Sequence, residues 1–136
     1  MARPARISEA ILALLSEHSR HAWSLEEMRA DLAARRVRAD FSTVFRAVER
    51  LVAEGRLRKI PIDGGSARFE PAGAHHDHVR CLVCDALTPI PCVTERVDLG
   101  ALQKRTGFLL AGHDIVLQGT CMICRERAGA APARPL

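Results

Sequence analysis

Apolar side chains at Ile7, Ile11, Leu14 and Leu15 recur at i, i+4, i+7 and i+8, which predicts a helix with one buried face over residues 6–18. Ser24 and Glu27 have the Ser-x-x-Glu spacing of a capping box, so a second helix is expected to open there and to fade near Val37, with Met28 and Leu32 inward. A third is expected from Phe41 or Ser42 to Glu54, with Val44, Val48, Leu51 and Val52 on one side and Gly55 placed to close it in a left-handed conformation. Leu57-Arg58-Lys59-Ile60-Pro61-Ile62 then alternates as a strand. Asp63-Gly64-Gly65 is a turn signal, and Ala67-Arg68-Phe69 makes the return strand.

Three short helices followed by a hairpin is the layout of a winged helix-turn-helix, with the third helix as the reading element. Its polar face would carry Ser42, Thr43, Arg46 and Arg50, with Phe45 between them. The hairpin adds Arg58, Lys59 and Arg68, beside Arg56. Hydroxyls and guanidinium groups suit phosphate and guanine contacts. The pattern alone leaves nucleic-acid binding open, because amphipathic helices commonly expose arginine, and Phe45 reads equally well as core.

Past a hinge-like Pro71-Ala-Gly-Ala74, strands are expected at Val79–Val83, Leu87–Ile90 and Ile115–Leu117. A helix is expected from about Thr94 to Arg105, with Val97, Ala101 and Leu102 inward. Residues 126–136 lie in an Ala/Pro/Arg-rich tail expected to be disordered. The chain therefore divides into residues 1–70, a hinge at 71–74, a second domain at 75–125 and the tail. No internal repeat is present.

Composition sharpens this picture in two places. Aromatic residues are only 4%, so aliphatic side chains must fill the core. The net charge of +4 lies wholly in residues 1–60, which hold twelve Lys/Arg and eight Asp/Glu; residues 61–136 hold eight of each. An excess confined to the helix-rich half is what a phosphate-facing surface requires. No secretory signal is evident, and no apolar run approaches the roughly 20 residues that span a bilayer. A cytoplasmic location is expected, where cysteines read as metal ligands rather than disulfides.

Those cysteines form a pattern of Cys81-x-x-Cys84, then 36 intervening residues, then Cys121-x-x-Cys124. A two-residue gap lets both thiolates of a pair reach one ion from a tight turn. Two such turns make a closed tetrahedron of sulfur, the donor set of structural Zn2+. An iron–sulfur cluster is the alternative with the same ligand count. A redox pair would need only one of the two motifs. The fifth thiol, Cys92, reads as a small buried hydrophobe.

Just upstream stands His75-His76-Asp77-His78. On an extended strand His76 and His78 share one face, and His75 and Asp77 the other, so one segment can serve two metal sites. Glu70, His21, Glu95 and His113 are further candidate ligands. Imidazole and carboxylate together suit divalent Fe, Zn, Mn, Ni or Co.

Three segments in order resemble the ferric uptake regulator (Fur) family: Ser42-Thr-Val-Phe-Arg46, similar to its reading helix; Asp63-Gly-Gly-Ser-Ala-Arg-Phe-Glu70, similar to its wing; and His75-His-Asp-His-Val-Arg-Cys-Leu-Val-Cys84 with Cys121-Met-Ile-Cys124. The likeness covers about residues 6–125. It implies an α+β chain, a winged helix-turn-helix domain followed by a small α/β dimerisation domain. It implies a homodimeric, metal-dependent repressor that binds double-stranded operator DNA, with no small-molecule substrate and no membrane.

By the same resemblance Cys81, Cys84, Cys121 and Cys124 hold structural zinc. His21, Glu70, His76 and His78 hold a regulatory metal, Fe2+ or Zn2+. An additional site uses His75, Asp77, Glu95 and His113, with His21 and Glu95 each displaced by about one position from the family pattern. Two further departures are visible. Phe45 stands where the family usually has Tyr. Pro89 stands where many members, peroxide sensors among them, carry an acidic residue. Sensing of peroxide, nickel or manganese stays open as an alternative. A small zinc enzyme is the rival of another class, but no His-Glu-x-x-His helix is present to support it. A zinc-ribbon interaction module would leave the basic half unexplained.

Overall fold

The computed structural model describes residues 3–17 and 20–128. The chain divides into two compact units that meet between Ala74 and His75.

In the first unit, α1 (Pro4–Ser16), α2 (Leu25–Ala34) and α3 (Phe41–Ala53) precede a hairpin of β1 (Leu57–Ile60) and β2 (Arg68–Pro71). Proline at the start of α1 loses no hydrogen bond, since the first-turn N–H groups have no helical partner. The expected capping box is present: Glu27 N–H donates to Ser24 Oγ at 3.2 Å, and Ser24 N–H donates to Glu27 Oε2 at 2.9 Å. Asp40 caps α3 by accepting from Thr43 N–H at 2.7 Å.

Gly55, at φ 71°, closes α3 as expected. Its N–H donates to Val52 O and that of Arg56 to Leu51 O, the paired bonds of a Schellman motif. The fade expected near Val37 comes three residues earlier, where Arg36 turns left-handed at φ 61°.

Ile7, Ile11, Leu14, Leu15, Met28, Leu32, Val44, Val48 and Leu51 pack as one aliphatic core together with Trp23, Leu57 and Phe69. One connection was not legible in the sequence. Trp23 and Phe69 exchange backbone hydrogen bonds of 2.9 and 2.8 Å. This bridge lays the segment before α2 along β2, on the side opposite β1. The hinge expected at 71–74 overlaps the hairpin: Pro71 pairs with Leu57, and Ala72 N–H donates to Arg56 O at 3.0 Å.

The second unit is a three-stranded sheet in the order β4 (Leu87–Ile90), β3 (Asp77–Cys81), β5 (Val116–Gly119). β3 runs antiparallel to β4 and parallel to β5. The first strand thus starts two residues earlier than expected and excludes Leu82 and Val83. These lie in the turn between the first two cysteines, closed by Asp85 at φ 64°. The helix expected from Thr94 to Arg105 is interrupted. A 3-10 turn spans Val93–Arg96, and α4 (Leu99–Thr106) starts afresh because Asp98 caps Ala101 N–H at 2.9 Å.

Its inward face is not inward in the single chain, where Val97, Leu99 and Leu102 are all exposed. α5 (Met122–Ala128) carries the chain as helix through 126–128, the start of the expected tail. The remainder of that tail lies outside the described residues. Among the described residues no helix is long and apolar enough to cross a membrane.

Candidate metal centres and nucleic-acid interface

The register of the second sheet decides which ligands meet. Parallel pairing sets Cys81 beside Gly119, so the turn after β3 and the chain entering α5 lie at the same end of the sheet. Leu82 N–H donates to Gly119 O at 2.8 Å and fixes that approach. One sulfur each from Cys81, Cys84, Cys121 and Cys124 then falls within 4.8 Å of every other, with Cys84 Sγ and Cys121 Sγ at 3.8 Å. All four expected thiols are brought together and none forms a disulfide.

Their electrostatics ask for a cation. Backbone N–H groups of Cys121 and Cys84 pull the Cys81 thiol down to about 6. The neighbouring Cys121 sulfur, then burial, push Cys124 up to about 12. Four sulfurs this close cannot all be thiolates unless an ion neutralises them, and the all-sulfur donor set fits Zn2+.

At the other end of the sheet the same logic gathers a second group. His78 N–H donates to Ile115 O at 3.2 Å, which draws His113 toward the start of β3. Antiparallel pairing of Asp77 with Ile90 sets Cys92, two residues past β4, beside that same start. His75, Asp77, Cys92 and His113 thus place their donor atoms within 4.8 Å of one another. His75 Nε2 and His113 Nε2 are 2.9 Å apart, and His113 Nε2 lies 3.2 Å from Asp77 Oδ1.

Asp77 is fully buried. Burial opposes its ionisation, but the Val93 N–H, His113 and His75 outweigh burial and hold its carboxyl below the usual range. Here two expectations are corrected. Glu95, assigned to this group by resemblance, is exposed on the 3-10 turn and is not among the side chains gathered here. Cys92 is half-buried and faces the histidines instead of packing as a hydrophobe. The signal that would have found it is its position two residues beyond a strand that pairs antiparallel with the histidine strand.

Of the remaining expected ligands, His21 and Glu70 belong to the first unit. The Trp23–Phe69 bridge brings them together, with His21 Nε2 at 2.6 Å from the buried Glu70 Oε2. His76 and His78 belong to the second unit and approach each other edge-on, their ring centroids 4.8 Å apart.

α3 turns Val44, Ala47, Val48 and Leu51 inward and leaves Ser42, Phe45, Arg46 and Arg50 exposed, with Thr43 half-buried. Phe45 is therefore not core. It stacks on Phe41 at 6.4 Å on the solvent face, an apolar surface of the kind that meets thymine methyl groups. Lys59 is exposed on the hairpin. Arg68 is buried and Arg58 lies 4.0 Å from Glu70, so these two wing arginines face the protein more than solvent. The register explains it: Arg68 pairs with Ile60, itself a buried position.

The ferric uptake regulator family model matches residues 3–118. The ferric uptake regulation protein of Bordetella parapertussis is 33% identical over 106 residues, covering 76% of this chain and 75% of that protein. Among solved structures, the ferric uptake regulator of Francisella tularensis with iron superposes with a TM-score of 0.78 at 19% identity, over 92% of this chain and 93% of the other. A zinc uptake regulator complexed with zinc and DNA superposes at 0.68 with 22% identity, over 95% and 87%. With most of its length inside the family model and a relative at one-third identity, this chain belongs to the ferric uptake regulator family.

Proposed function

We propose that this protein is a cytoplasmic, metal-responsive repressor that binds operator DNA as a homodimer. The observation that carries the reading is the pairing, in one chain, of a winged helix with two exposed arginines on its third helix and a sheet whose two ends each gather metal-ligand side chains. Membership of a family of transcriptional regulators supports it.

A second copy accounts for the apolar surface of the second unit, where Val97, Leu99, Leu102, Phe108, Leu109 and Leu110 are exposed. Large apolar side chains left exposed in such number are ordinarily covered by a partner. The four thiolates are the structural Zn2+ site. The regulatory Fe2+ or Zn2+ is held by His21 and Glu70 of the first unit with His76 and His78 of the second. Occupying such a site constrains the two units to each other. In a dimer this sets the spacing of two reading helices against two half-sites. Metal then selects the DNA-competent conformer, and by linkage DNA tightens metal.

The test is operator binding by the full chain in chelator and in added Fe2+ or Zn2+. Metal should tighten binding by about 5–150-fold; equal affinity in both conditions sinks the switch. Arg46→Ala should weaken operator binding about tenfold or more without altering metal content, since it removes one charge-assisted contact to base or phosphate. Unchanged affinity would move the reading surface elsewhere.

A further inference from the structure

We propose that Cys92 supplies a thiolate ligand to the group of His75, Asp77 and His113, making it a closed four-donor site that prefers Zn2+ to Fe2+ or Mn2+. This deepens the metal-binding reading of the histidine cluster and rests on it.

Three observations converge. The first is spacing. A tetrahedral zinc with bonds of about 2.0–2.3 Å sets its donors about 3.3–3.8 Å apart. Cys92 Sγ lies 3.5 Å from His113 Nε2 and His75 Nε2 lies 3.6 Å from Asp77 Oδ1, while His113 Nε2 lies 3.2 Å from Asp77 Oδ1 and 2.9 Å from His75 Nε2, a few tenths of an ångström inside that range. The second is an orphan. Asp77 Oδ1 is buried with no hydrogen-bond partner, although it sits 3.2 Å from His113 Nε2. A buried carboxylate oxygen without a partner is costly unless something positive meets it.

The third is orientation. Val93 N–H donates to Asp77 Oδ2 at 2.8 Å. That single bond ties the backbone next to Cys92 onto β3 and leaves Oδ1 for the ion, the outer-shell role that fixes ligands in metal sites. Thr94 Oγ1, 3.1 Å from Cys92 Sγ, steadies the sulfur.

The consequence is chemical. The carboxylate expected at this site from Glu95 would make a nitrogen and oxygen donor set open to hard cations. Exchanging it for sulfur makes two imidazoles, one carboxylate and one thiolate, a set that favours zinc and disfavours iron(II) and manganese(II).

The experiment uses the full-length dimer with its four-cysteine zinc in place. Zinc is titrated while Cys92 alkylation by iodoacetamide is followed by peptide mass spectrometry, and bound zinc per chain is measured alongside. Saturating zinc should slow Cys92 alkylation about tenfold or more. Cys92→Ser should lower affinity for the zinc that depends on His113, the ion lost in His113→Ala, by about 10–100-fold or more, and Glu95→Gln should leave it unchanged. Cys92→Asp should restore binding while shifting preference toward Mn2+, which also shows that the substituted chain folds.

Alkylation that ignores zinc, with binding still lost in His113→Ala, overturns the Cys92 assignment and leaves the histidine cluster standing as a metal site. Zinc uptake beyond the four-cysteine ion that is absent, or that is unchanged in His113→Ala, overturns both.

Discussion

Cys81→Ser combined with Cys124→Ser is expected to release the structural zinc and unfold residues 75–128, while residues 3–74 keep their cooperative transition. The reason lies in what each unit buries. The first has an aliphatic core built on Ile7, Ile11, Leu14, Met28, Val48 and Leu51. Among the described residues of the second, only Cys81, Cys124, Asp77 and His78 are buried, and no aliphatic or aromatic side chain is. A sheet of three short strands without an apolar core does not hold itself together in water. The metal supplies what the core does not. Structural zinc sites of this class contribute on the order of 10–16 kcal/mol near neutral pH.

Calorimetry should therefore show two transitions in the unaltered protein and one in the variant, with zinc per chain reduced and the dimer lost. An unaltered second transition in a zinc-depleted variant would mean the dimer interface, not the ion, carries that unit. Because the sulfurs must be deprotonated to bind, protons compete with the ion, so zinc affinity should fall steadily as pH is lowered, as zinc per chain after dialysis across a pH series would show.

The second large effect concerns response rather than stability. His76→Ala with His78→Ala is expected to make operator affinity independent of added Fe2+ or Zn2+, erasing a metal effect of about 5–150-fold. The four-cysteine zinc should stay bound. Cys81 shares the histidines' strand, but its site is assembled at the opposite end of the sheet. His78 is buried, so elemental analysis and the two-transition calorimetric profile serve as the control. Retained zinc with a persisting metal response would place the sensing ion elsewhere, and the His75, Asp77, Cys92 and His113 group would be the next candidate.

Much of this was written in local pattern. The capping box at Ser24, the left-handed close at Gly55 and the helical spacing of Ile7, Ile11, Leu14 and Leu15 depend on residues within one or two turns of each other, and each appears where expected. The four-cysteine site was equally legible, because two Cys-x-x-Cys turns leave little choice of partner once the chain folds at all. The resemblance to the ferric uptake regulators was carried by short contiguous motifs of the same kind.

What the tertiary structure alone decided was which distant side chains meet. Nothing local says that Trp23 bridges Phe69, yet that bridge is what sets His21 against Glu70. Periodicity turned Val97 and Leu102 inward, but a helix face has no inside until a neighbour covers it, and one chain provides none. Arg68 looked like a surface cation until pairing with Ile60 put it at a buried position.

Cys92 and Glu95 make the sharpest case, three residues apart in one short segment. Sequence favoured the carboxylate by analogy of position. Strand register favours the thiol, because antiparallel pairing of Asp77 with Ile90 carries the chain back across the histidines two residues later, whereas Glu95 lies exposed on the 3-10 turn Val93–Arg96. Local sequence determines elements and the sites made within one turn. Sites assembled from three strands are determined by register, which is a property of pairing and not of any one segment.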